Sequence, residues 1–154
     1  MNCTSVLHQI EIVVSTIIQI CDTLTDEDLQ KRPTPDKHSI GELLEHIAVI
    51  CAADWRISQG ATLAEMEDFY SSVSYPTLDS IKAGILDNFA ALKHNYMNLT
   101  DEQLLTETTS YWGNTCTRYE WLLEIIAHLY HHRGQLHAML VHCYNKDPKV
   151  MLFE

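Results

Sequence analysis

The chain has 154 residues, enough for one domain that buries its own core. With 46% hydrophobic and 20% charged residues, its composition is that of a globular protein and excludes a disordered chain. Ten Lys and Arg against 21 Asp and Glu give a net charge of -11, which argues against nucleic acid or an anionic membrane as a partner, because both require clustered cations.

The first predicted helix runs from about Thr4 to Leu24. Val6, Ile10, Val13, Ile17, Ile20 and Leu24 recur there every three or four residues, the stripe of an amphipathic helix. Pro33 and Pro35 then break the chain. The second helix opens at Ser39-Ile-Gly-Glu42, a capping box in which hydroxyl and carboxylate each take the other residue's backbone N–H. It carries Ile40, Leu43, Leu44, Ile47, Ile50 and Cys51 and ends near Gly60. A connection of about sixteen residues, long for a compact domain, leads to Pro76.

The third helix spans about Thr77 to Leu99, with Leu78, Ile81, Ile85, Phe89, Leu92 and Tyr96 on one face. A second long connection, Thr100 to Thr117, holds Trp112, Gly113 and Asn114. The fourth helix runs from about Arg118 to Tyr144 and stops before Asp147-Pro148. Val150 to Phe153 are apolar and are expected to pack back on the bundle. No strand-like alternation with hairpin turns stands out. The expected architecture is all-α: a four-helix bundle with long inter-helix connections, in a single domain over residues 1–154.

A short internal echo runs through this order. Leu24-Thr-Asp-Glu-Asp-Leu29 follows the first helix and Leu99-Thr-Asp-Glu-Gln-Leu104 follows the third. Each precedes a helix bearing Glu42-Leu-Leu-Glu45 or Glu120-Trp-Leu-Leu-Glu124. Two related helix pairs would build such a bundle, and a chance repeat of common cap residues would give the same match.

Five cysteines, Cys3, Cys21, Cys51, Cys116 and Cys143, are an odd number without a CxxC pair, which fits reduced thiols better than a disulfide framework. No basic segment followed by a short apolar run opens the chain, and no apolar stretch approaches the roughly 20 residues of a membrane span. A cytoplasmic protein is expected.

Nine histidines nearly equal the Lys and Arg together. His128 and His132 stand at i and i+4 in the last helix, so both imidazoles leave one face and can share an ion. No Glu follows His128 as in HExxH, so a zinc-protease reading is poor. The pair lies on the ridge Trp121, Ile125, His128, His132, Gln135 and Met139, and a buried imidazole there needs a partner. A metal would supply it; a hydrogen-bonded core pair is the competing reading. A metal site needs a third donor from another helix, and His46 is the best placed. His8 and His94 lie toward polar sides, His38 sits in a loop, His131 points about 100° away from His132, and His137 and His142 lie farther along the helix.

The stretches Ser39-Ile-Gly-Glu-Leu-Leu-Glu-His46-Ile and His128-Leu-Tyr-His-His132-Arg-Gly-Gln-Leu136, with the spacing between them, resemble the DinB-like family of damage-inducible and thiol-transferase-related four-helix bundles over essentially the whole chain. The resemblance implies one divalent metal held by three histidines, which by position are His46, His128 and His132, and assembly as a homodimer. It also brings relatives that transfer or isomerise with low-molecular-weight thiols such as bacillithiol. Damage induction describes expression, and the acidity gives DNA binding no support.

Three neutral imidazoles leave an ion its full charge and an open position, the pattern of a catalytic site. Zn²⁺ is the leading metal, with Ni²⁺ and Fe²⁺ also suited to imidazole. The expected function is metal-dependent S-transfer from a thiol to a small-molecule electrophile. The alternatives are a non-catalytic metal-stabilised dimeric bundle and a metal-dependent hydrolase. No catalytic residue beyond the ligands is assigned. Arg133 would hold a substrate anion or, preferably, pair with a carboxylate at a helix interface. Gly134 would allow a close contact or simply be tolerated. Tyr111 and Trp112 would line a pocket mouth or, preferably, pack on the bundle end. Glu45 and Glu124 could back metal-bound histidines, although a solvated face suits each better. Cys51 is read as a small buried apolar residue. Leu122, Ile126, Leu129, Leu136 and Leu140 form a second ridge that would suit a dimer contact.

Overall fold

The apolar stripes become helices because almost every one is launched by a reciprocal side-chain cap. The computed structural model describes residues 2–153. In chain order it contains α1 (Cys3–Cys21), a 3₁₀ turn (Asp26–Gln30), α2 (Ile40–Ser58), α3 (Leu63–Ser72), α4 (Leu78–Met97), α5 (Asp101–Leu104), β1 (Glu107–Thr109), β2 (Thr115–Thr117) and α6 (Arg118–Ala138), which runs into a π-helical turn (Met139–Cys143). Capping boxes open α2 at Ser39 with Glu42, α3 at Thr62 with Glu65, α4 at Thr77 with Ser80, α5 at Thr100 with Gln103 and α6 at Thr117 with Glu120. Each satisfies backbone donors that a helix N-terminus leaves free.

The four long helices, α1, α2, α4 and α6, form the expected all-α bundle. Both α1 and α2 pack against α4 and α6, so α1 and α2 occupy opposite corners, as do α4 and α6. The two consecutive pairs α1–α2 and α4–α6 are therefore diagonal, and their connections must cross an end of the bundle. That requirement explains the length of both connections and the internal echo. Thr25 caps the 3₁₀ turn through Asp28, Thr100 caps α5 through Gln103, and Leu29 and Leu104 are buried at corresponding places. Gly41 is needed where the first crossover meets α2, because a Cβ there would lie 2.9 Å from the Leu29 carbonyl oxygen.

Two connections differ from expectation. The stretch between α2 and α4 is not a loop: it contains α3, which buries Met66 against Ala53, Ile57 and Trp121. With one buried side chain in ten residues, α3 has only a short apolar stripe, and its Thr62–Glu65 cap is the clearest sequence signal. The stretch before α6 contains a small antiparallel hairpin, β1 on β2, pairing Glu107 with Thr117, Thr108 with Cys116 and Thr109 with Thr115. Its loop closes through a Gly113 N–H to Ser110 carbonyl bond, with Gly113 at φ +94. Strands of three residues are too short to show alternation.

The helix ends also move inward. The fourth expected helix stops as regular α-helix at Ala138 and widens into the π turn, from which the Leu140 carbonyl accepts the Lys146 N–H. In the tail, Val150 and Leu152 pack against the core, whereas Met151 and Phe153 are exposed. Arg133 is buried and, among the described residues, pairs with no carboxylate, where one at a helix interface was expected. It donates to the Thr16 hydroxyl and the Leu152 carbonyl and lies over the Tyr130 and Phe153 rings. Gly134 is exposed with nothing near a built Cβ, so it is tolerated and serves no close contact. On the second ridge of α6, Leu122, Leu129, Leu136 and Leu140 are buried in the bundle's own core, and Ile126 packs partly buried against it. α1 has 19 residues with a mean hydropathy of 1.4, enough in length and composition for a span and more than the sequence reading allowed. Its Leu7, Ile10, Val13, Val14, Ile17 and Ile20 are buried within the bundle.

Candidate metal centre

His128 and His132 project from one face of α6, and His46 meets them from α2 across the interface between these neighbouring helices. The Nε2 of His46 lies 3.1 Å from the Nε2 of His128 and 3.1 Å from the Nε2 of His132. The ring centroids are 4.6 to 5.1 Å apart. All three rings are half-buried. Among the described residues they form the one cluster of donor atoms close enough to share an ion.

The distal nitrogens decide what these Nε2 atoms are. His128 Nδ1 is 2.9 Å from Asp54 Oδ2, and His132 Nδ1 is 2.9 Å from Gln135 Oε1. A carboxylate only accepts, so His128 Nδ1 carries the proton and its Nε2 presents a lone pair; with the Gln135 amide oxygen turned toward it, His132 takes the same form. Two lone pairs thus face His46 Nε2, which has at most one proton to give. Hydrogen bonds among the three rings cannot satisfy every Nε2 atom, whereas a shared cation can. A tetrahedral ion about 2.0–2.1 Å from each nitrogen would separate them by about 3.3 Å, close to the spacing present. The donor set therefore fits a divalent ion, with His46, His128 and His132 as the side chains that could hold it.

Electrostatics keep the donors available. Burial, followed by repulsion from His132, His128 and His38, pushes His46 down to about 4. Burial likewise lowers His132, only partly offset by its bond to Gln135. At neutral pH no proton need be displaced from either. A cleft of about 800 Å³ opens beside His46, with Val49, Tyr70 and Val73 giving an apolar wall and Lys37 and His38 near the rim. Tyr75 closes another side, its ring lying on Gly84, where a Cβ would come within 2.4 Å of it.

The remaining histidines stay apart from the cluster. His8, His94, His131 and His142 are exposed and His137 is half-exposed. His131 meets His132 edge-on, and His38 stacks at 6.5 Å on His46 from the cleft side. Tyr111 and Trp112 pack on each other and Trp112 on Trp121, as the bundle-end reading had it. Glu45 accepts the Tyr75 N–H and Glu124 is exposed. Cys51 is buried, its thiol pushed up to about 12 by desolvation and then by Asp54.

Asp54 escaped the sequence reading. It stands in the run Ile50-Cys-Ala-Ala-Asp54-Trp-Arg-Ile57, two turns beyond His46, and nothing local ties it to His128. Gln135 was placed on the right ridge without a role.

The fold and site together define a helical bundle with a histidine donor set between two of its long helices. The chain belongs to the DinB superfamily, whose family model matches residues 9–136. A crystal structure of a DinB-family member from Exiguobacterium sibiricum 255-15 is 32% identical, with 88% of each chain covered and a TM-score of 0.77. DinB-like proteins from Bacillus cereus ATCC 10987 (22% identity, 90% of each chain, TM-score 0.71) and Bacillus subtilis (18%, 86% of this chain and 87% of that one, 0.68) share the fold. A search of curated proteins gives no match.

Proposed function

We propose that the protein binds one divalent cation, Zn²⁺ foremost, through His46, His128 and His132, and uses it to transfer a low-molecular-weight thiol to a small-molecule electrophile. The observation that carries the metal reading is the convergence of three Nε2 atoms, with the distal nitrogens of His128 and His132 backed by Asp54 and Gln135. When bound, an ion on three neutral imidazoles supplies its full charge and an open position, which lowers the pKa of a thiol or water there. The chain's part is to hold that position rigidly and beside a cavity. α2 and α6 fix the donors through the buried neighbours Leu43, Ile47, Ile125 and Leu129. The cleft beside His46 gives room for small reactants, with Val49, Tyr70 and Val73 as its apolar side.

Transfer would join the thiol sulfur to the electrophilic carbon, release the leaving group and pass the thiol proton to solvent. Cys51 and Cys21 are buried, with thiols pushed up to about 12, so neither serves as the nucleophile. The test is thiol consumption with a panel of cellular thiols and a chromogenic electrophile, using chelator-stripped protein with and without added Zn²⁺. Zinc-dependent turnover with at least one thiol is expected. Equal rates with and without metal would remove the mechanism, and zinc-dependent ester or amide cleavage without thiol would favour hydrolysis.

A further inference from the structure

We infer that Asp54 is a positioning residue of the metal centre: it locks the tautomer of His128 and supplies the counter-charge that three neutral imidazoles lack. The inference rests on the metal reading above and extends it to a residue outside the ligand set.

Four observations converge on Asp54. Its Oδ2 is 2.9 Å from His128 Nδ1, and its side chain is only 13% exposed. It lies among Ile50, Cys51, Ala53 and Ile57, all buried, where an unpartnered carboxylate would be costly. Among the described residues, it is the one carboxylate hydrogen-bonded to a histidine of the trio. The other backing group is not equivalent. Gln135 is exposed, and its amide can turn to offer either oxygen or nitrogen to His132. A carboxylate offers no such choice, so only Asp54 obliges its histidine to carry the proton on Nδ1 and leave Nε2 bare. Its negative charge, one imidazole away, also halves the charge that a divalent ion would otherwise leave in a half-buried site. A carboxylate behind a ligating imidazole raises its basicity and holds the ring's direction.

Two readouts test this. First, ¹⁵N-histidine NMR of the metal-free protein at pH 8, with His128 assigned by its loss in His128→Ala, should show His128 protonated on Nδ1. In Asp54→Ala the signal should shift toward the Nε2–H form. Second, competition with a chromophoric chelator should show Zn²⁺ binding weakened about 10- to 100-fold in Asp54→Ala. Asp54→Asn, which keeps an accepting oxygen but loses the charge, should fall between Asp54→Ala and wild type. Gln135→Ala should cost less than Asp54→Ala. If Asp54→Ala does not fold, the nearly isosteric Asp54→Asn carries the test by a reduced affinity, since its amide brings no charge and no longer obliges the Nδ1–H form. An Nε2–H tautomer in the wild type, or wild-type zinc affinity in the folded Asp54 variants, would overturn the assignment. Failure of the wild type to take up zinc would remove the metal site itself, while the metal-free tautomer still judges Asp54 separately.

Discussion

Asp28 and His46 are both polar side chains withdrawn from water, yet their surroundings follow opposite rules. Asp28 is met by complementary groups: Lys31 and Lys146, each with Nζ at 2.6 Å, and the Thr25 N–H at 2.9 Å. Burial would raise its carboxyl, but the bonds from Lys146, Lys31 and Thr25 outweigh burial and hold it far below the usual carboxylate range. That cluster is complete, and it ties the first crossover to the segment after α6. His46 is met by two groups of its own kind, which depress its basicity and offer it lone pairs. A cluster of complementary groups stabilises the fold from within. A cluster of like donors suits something from outside, and this difference makes it the candidate functional site.

The largest expected effect breaks the second cluster. His46→Ala, His128→Ala and His132→Ala should each abolish stoichiometric zinc uptake, whereas His137→Ala should leave it intact, as measured by equilibrium dialysis with elemental analysis. Full uptake by His46→Ala would show that the third donor lies elsewhere. Next is the first cluster. Asp28→Ala leaves two lysines facing a buried gap and should lower unfolding stability by about 2–4 kcal/mol in denaturant titrations, with the partly exposed lysines softening the loss. Because the folded pKa of Asp28 is depressed, its contribution is present above the ordinary value of 3.8 and fades as pH falls below it. Asp28→Asn should therefore approach wild-type stability in strong acid.

The pH dependence of the metal-free protein sharpens the contrast. The unfolded chain protonates His46 near 6.5, but the folded chain only near 4, so folding stability is lost as pH drops through that window. Thermal melts should show this decline for wild type, and His46→Ala should flatten it. Gly84→Ala should cost about 1–3 kcal/mol by driving a Cβ into the Tyr75 ring and moving that wall of the cleft. The smallest effect is a gain. Gly134→Ala, exposed and unhindered in mid-helix, should stabilise by about 0.5–1 kcal/mol without altering zinc binding.

The long helices were legible because periodic stripes such as Ile10, Val13, Ile17 and Ile20 report burial directly, and the Ser39–Glu42 cap marked a boundary to the residue. α3 and the hairpin were not legible, since one buried Met66 and two three-residue strands leave no period to read. The i,i+4 geometry made the His128–His132 pair visible, the place of His46 on another helix made it the best third donor, and resemblance to DinB-like proteins supported that choice. Asp54 and the partners of Arg133 depend on which helices are neighbours, a tertiary fact with no local imprint. The diagonal threading explains the crossovers only after α1 and α2 are seen on opposite corners.

The central claim is that three histidines of this chain hold one divalent ion. Calorimetric titration of Zn²⁺ into untagged, chelator-stripped protein at neutral pH tests it directly. The account predicts saturation at one equivalent per chain, with no binding in His128→Ala. Less than a tenth of an equivalent bound by the folded wild type, with no uptake of Ni²⁺ or Fe²⁺ either, would contradict it.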